Sequence, residues 1–143
     1  MISLTRNRRN AGAPNHSRRR GAAAAEFAVC LPVLILLLMG MIEACSMVFL
    51  KQSLAVASYE GVGAGIRPDA TAQQVRAACM QVLNDRGVRG GDAQIDPANL
   101  AALEPGEFFN VTVTAPTDRN GVIPARFYRG MVLRSSASMM KEF

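Results

Sequence analysis

The sequence predicts an α+β protein: one long N-terminal transmembrane α-helix followed by a small head with one helix and two or three antiparallel strands. Three observations predict it. Residues 27–42 run for sixteen positions without a charge, and only Glu43 is charged before Lys51. Beyond Lys51, Gly- and Pro-containing stretches divide the chain into short segments, some with helical and some with strand periodicity. Positive charge is concentrated at the front. Residues 1–21 carry six arginines (Arg6, Arg8, Arg9, Arg18, Arg19, Arg20) and no acid, whereas the other 122 residues carry ten basic and eleven acidic side chains. A chain of 143 residues has room for one small domain and one membrane segment, not for a two-domain enzyme.

The arginines stand just before the apolar run, where the positive-inside rule uses them to hold the N-terminus in the cytoplasm. A nucleic-acid-binding arm is the competing reading of such a tail. No basic or aromatic surface follows it, so no nucleic-acid partner is expected. From Glu26 to Leu50 a helix rising about 1.5 Å per residue crosses a hydrocarbon core of about 30 Å with some tilt. A buried helix of a soluble domain is disfavoured because "LPVLILLLMGMI" offers no polar face. Pro32 removes a donor and crowds the carbonyl of Ala28, which predicts a slight kink. Gly40 and Ala44, four apart, are a small-residue pair at which another helix can approach closely. Glu43 lies about 25 Å beyond Glu26 along a helix, so it is expected at the opposite interface, among water or headgroups. Lys51 follows as an outer anchor whose long side chain can snorkel.

Past Lys51 the helix is expected to continue to about Tyr59 and to stop at Gly61, Gly63, Gly65 and Pro68. "GVGAG" is not a phosphate loop: it follows a helix rather than a strand and has no Lys-Ser/Thr after it. Asp69 and Thr71 are candidate N-caps for "TAQQVRAACMQVLNDR", where Val75, Ala78, Cys79, Val82 and Leu83 form an apolar stripe. Gly87, Gly90 and Gly91 end that helix. "DAQID" reads as a short strand and "PANLAALEPGE" as a turn-rich connection. "FFNVTVTAP" is the clearest strand, with Phe109, Val111 and Val113 alternating against Asn110, Thr112 and Thr114; "FYRGMVLRSSASM" reads as a last one.

Several export signals fit the basic and apolar tandem in part. A cleavable secretory signal needs small residues in an A-x-A-like triplet, and none follows Met41. "IEAC" at Ile42–Cys45 has the alanine and cysteine of a lipoprotein site, but Glu43 stands where small or apolar residues belong. "SRRRGAAAAEF" lacks the apolar residues expected behind a twin arginine.

The stretch "RRRGAAAAEFAVCLPVLILLLMGMIEACSMVFLKQSLAVASYEGV" resembles the N-terminal region of TadE-like proteins, pseudopilins or minor pilins of tight-adherence, Flp-type pilus systems. The resemblance is strongest over residues 18–62 and returns weakly in "VLRSSASMMKEF". It implies cleavage by a prepilin peptidase after Gly21, a mature chain starting at Ala22, and an assembly glutamate at mature position five, which is Glu26, followed by Phe27. It further implies a bacterial inner-membrane location, a periplasmic head, and as partners other pilins or pseudopilins of the same system and the pilus assembly platform. The organisation that follows is a basic cytoplasmic leader over 1–21, a membrane and periplasmic helix over 22–60, and a head over 61–143. A single-span or lipid-anchored periplasmic binding or scaffold protein is the alternative.

Physical chemistry gives Glu26 work to do. Cleavage would expose an α-amine on Ala22, one helical turn away, and residues four apart are neighbours. A carboxylate in the first turn also faces the positive end of the helix dipole, typically worth about 0.3–1 kcal/mol. Among packed helices near lipid it should find its own or a neighbour's amine, which would set the axial offset between subunits. The plainer alternative leaves Glu26 at the membrane interface beside Arg18–Arg20.

Catalytic parts are few. His16 is the sole histidine and lies in the segment expected to be removed, and HExxH, G-x-S-x-G and CxxC patterns are absent. No enzyme activity, metal or cofactor is therefore expected. Cys45 and Cys79 are the pair available for a disulfide in an oxidising compartment, although Cys79 on an apolar face reads first as a small buried hydrophobe; Cys30 lies in the span.

Overall fold

Fifty residues, His16–Gly65, form a single helix, α1. The computed structural model describes residues 16–122 and 128–142, with side chains from Gly21 onward. Most of the expected basic leader, and Phe127 at the head of the last expected strand, lie outside the described residues. By internal packing the chain divides within α1, into a unit ending at Leu37 and a unit from Leu38 onward.

In the first unit every residue from Gly21 to Leu37 is exposed, and the helix continues through Pro32. Val29 shows 76% of its surface and Leu36 66%. A helix apolar on all sides is not stabilised by water; lipid or other helices must cover it. This is the one described helix long and apolar enough to cross a membrane.

The second unit is a two-layer α+β head. Its core begins on α1, where Met47, Leu50, Leu54, Ala57, Gly61 and Gly65 recur at spacings of three and four and are all buried. Ser53 and Ser58, also buried, return their hydroxyls to the carbonyls of Phe49 (2.9 Å) and Ala55 (2.8 Å), so neither donor is left unmatched. Helix α2, Ala72–Asp85, starts with a capping box. The Gln74 amide N–H donates to Thr71 Oγ1 (3.3 Å) and the Thr71 N–H to Gln74 Oε1 (3.1 Å). It ends in a Schellman motif in which Val88 N–H reaches the Leu83 carbonyl (2.8 Å) and Gly87, at φ +68°, donates to Asn84 (2.9 Å). Of the expected stripe, Val75, Cys79 and Leu83 are fully buried.

The sheet is an antiparallel meander of β1 (Asp92–Asp96), β2 (Phe108–Pro116) and β3 (Val132–Met140), in that spatial order. Register places Val111 between Ile95 and Ala137, and Val113 between Ala93 and Ser135. Phe109, Val111, Val113 and Ala115 point to the core, and Thr112 on the opposite face meets Ser136 (Oγ1 to Oγ 3.1 Å). Burying Phe109 completely is worth roughly 1.5–3 kcal/mol.

Two expectations change. The helix does not stop near Tyr59. It runs to Gly65, because Gly61 and Gly65 serve close packing: a Cβ on Gly61 would lie 2.5 Å from Cys79 Sγ and 2.9 Å from Val111 Cγ1, and one on Gly65 2.6 Å from Phe109 Cε2. Glu43 is not solvated. It is 3% exposed and has a polar contact, since it falls in the part of α1 that belongs to the head. Further along the same helix, Lys51 donates from its Nζ to the Arg134 carbonyl on β3.

Candidate assembly site

The residues expected to direct processing and assembly lie on consecutive turns of α1. Gly21, Ala22, Glu26 and Phe27 are all exposed, Phe27 at 59%, and no atom would come within 4 Å of a Cβ on Gly21. Gly21 lies within the continuous helix, and its Cα side faces open space. Glu26 stands one helical turn beyond Ala22, at the i, i+4 spacing that places its carboxylate over the turn carrying residue 22. Its exposure leaves it available to a second helix.

Gly40 and Ala44 are half-buried on the same strip of α1, and nothing lies within 4 Å of a Cβ on Gly40. Space beside Gly40 is therefore left open by this chain's own described residues. Cys45 and Cys79 are both free, and the bridge between them is not formed. The reason is axial: Cys79 Sγ sits against Gly61, sixteen residues further along α1 than Cys45, which is about 24 Å. Burial pushes the Cys79 thiol from its ordinary 9.0 up to about 11, so it behaves as a small hydrophobe. Among the described residues no three of His, Cys, Asp and Glu converge as a metal site.

The family model for TadE-like protein matches residues 21–62. The matched segment covers less than a third of the chain. It begins at Gly21 and ends at Val62, so it contains Ala22, Glu26 and Phe27, the Gly40–Ala44 pair and nearly all of the buried stripe of α1. No curated protein and no solved structure matches the chain. The match lies wholly on α1, and the sheet and α2 stand outside it.

Two features of the head had no clear signal in the sequence. The buried continuation of the TadE-like helix from Met47 to Gly65 was masked by the general apolarity before it, although its three-and-four spacing is present once the span is set aside. Asn120 joins two loops: its Nδ2 donates to the Arg89 and Pro116 carbonyls (2.8 and 2.7 Å), and its Oδ1 accepts from Arg89 N–H (2.7 Å). Only the tertiary fold brings Asn120 and Arg89, 31 positions apart, together.

Proposed function

We propose that this chain is a pseudopilin, or minor pilin, used in assembling a Flp/Tad-type adhesive pilus. A prepilin peptidase cuts it after Gly21, the N-terminus faces the cytoplasm, and the head faces the periplasm. Its partners are the inner membrane, that peptidase, other pilins or pseudopilins of the system and the assembly platform. Its role is structural rather than catalytic. The observation that carries the reading is the coincidence of the Gly21–Ala22 pair, with Glu26 and Phe27 at the required spacing, on an exposed apolar helix whose TadE-like match starts at Gly21.

Glu26 acts after insertion. Once Ala22 carries a free amine, the carboxylate pairs with it, or with the same amine on a neighbouring helix, and thereby sets the offset between subunits. Glu26→Gln keeps size and polarity and removes the charge. Insertion and cleavage should persist, while an amine left unmatched among packed helices costs about 1–3 kcal/mol per contact. The test is cross-linking to the major pilin, together with pilus formation, at matched membrane levels. Normal assembly by the Gln variant would reduce Glu26 to an interface residue and remove the mechanism.

A further inference from the structure

Three arginines converge on one cleft of the head. Arg86, Arg89 and Arg119 line a depression of about 230 Å³ that also includes Phe49 and Leu50 of α1. The fold assembles them from separate segments. Gly87 turns the chain directly after Arg86, and the Asn120 amide clamps the backbone of Arg89 on both sides. Arg119 lies across Gly90, where a Cβ would be 3.1 Å from its Cδ and 3.2 Å from its Nη1. Among the described residues the ion pair is that of Arg76 with Asp92, so none of the three is neutralised there. Asp118, the acid next in sequence to Arg119, accepts from the Gly130 N–H instead (2.9 Å). Three guanidinium groups around one cleft repel one another until an anion joins them, and their planar forks suit phosphate oxygens.

An apolar groove of about 620 Å³ adjoins the cleft, sharing Phe49 and Asn120 with it. Along α1 it runs from Leu38 through Ile42 and Cys45 to Phe49, and Val122 forms its other wall. Eleven residues of helix measure about 16 Å, close to one leaflet of a hydrocarbon core of about 30 Å. A cationic cleft that opens into an apolar groove of acyl-chain length is complementary to one class of molecule.

We propose that cleft and groove together hold one anionic phospholipid of the bilayer, its phosphate among Arg86, Arg89 and Arg119 and an acyl chain along the Leu38–Phe49 side of α1. The proposal rests on the reading of α1 as a membrane-spanning helix. A lipid held there fixes the head at the level of the headgroups, leaving Glu26 and the Gly40–Ala44 pair for protein partners.

The full chain is reconstituted in phosphatidylcholine bilayers doped with spin-labelled phosphatidylglycerol or spin-labelled phosphatidylcholine, and the motionally restricted lipid fraction is compared. Wild type should prefer phosphatidylglycerol. Each arginine changed to glutamine should lower that preference about fivefold, while Arg67→Gln, away from the cleft, should leave it unchanged. Cys45→Phe, which fills the groove and leaves the arginines intact, should also lower it. Equal restriction of the two lipids, preference kept by the triple Arg86→Gln, Arg89→Gln, Arg119→Gln variant, or displacement of the labelled lipid by inorganic phosphate alone would overturn the proposal. So would a dimer cross-linked through Cys45 that excludes lipid. Failure of the wild-type chain to float with the vesicles would instead remove the membrane reading, and this proposal with it.

Discussion

Gly61→Ala offers the sharpest test of how α1 joins the head. In an exposed helix interior the change stabilises by about 0.8–1.0 kcal/mol, through backbone entropy. At Gly61 the new Cβ would stand 2.5 Å from Cys79 Sγ and 2.9 Å from Val111 Cγ1, against an ordinary van der Waals contact of roughly 3.5–4.0 Å. Both neighbours are fully buried and cannot swing into solvent, so something in the core must shift. Overpacking of this kind typically costs about 1–3 kcal/mol. The clash therefore offsets or outweighs the propensity gain, and net destabilisation of up to about 2 kcal/mol is expected. Gly63, two residues on and with nothing within 4 Å of its Cβ, is the internal control: Gly63→Ala should stabilise. Urea unfolding of the full chain in detergent micelles gives both values. Adding Cys79→Ala removes the nearer obstacle, so the double variant should lose less than the sum of the single losses, with a coupling of about 0.5–3 kcal/mol. If Gly61→Ala stabilised as much as Gly63→Ala, close approach would not be what the glycine provides and the packing argument would be refuted.

Three further outcomes are expected. Gly21→Val should leave the precursor uncut in cells that have the peptidase, read as the intact mass; a mature start at Ala22 in that variant would break the glycine argument. A reporter fused after Phe143 should be active only if it is of the periplasmic type, and cytoplasmic activity there would reverse the orientation. Cys79 holds its proton more tightly in the folded chain, so its contribution to stability is intact below about 9.0 and falls as pH rises towards about 11, by on the order of 2 kcal/mol. Unfolding curves of wild type and Cys79→Ala between those pH values should differ in slope, and parallel slopes would contradict the buried, protonated thiol.

What the sequence determined by itself is what short-range periodicity and local charge can encode. The uncharged run from Phe27 to Ile42 specifies an apolar helix, and the Val75–Leu83 stripe and the Phe109–Val113 alternation specify α2 and β2, because each element's buried face repeats at its own period. Of the two candidate N-caps, Asp69 and Thr71, the structure uses Thr71. The Gly21–Glu26 spacing was likewise legible, since one helical turn is a local distance. The tertiary structure decided the rest. A glycine carries the same local signal whether it ends a helix or admits a neighbour, so only the arrival of Cys79, Val111 and Phe109 makes Gly61 and Gly65 helical contacts. Glu43 looked solvated because its enclosure depends on the head, and Cys45 and Cys79 looked pairable because sequence does not give their axial separation along α1. Arg86, Arg89 and Arg119 are scattered charges until the Asn120 clamp and the turns at Gly87 and Gly90 bring two loops together. Long-range proximity of this kind is set by how whole elements pack, and a single element's periodicity contains no information about which face of another element it will meet.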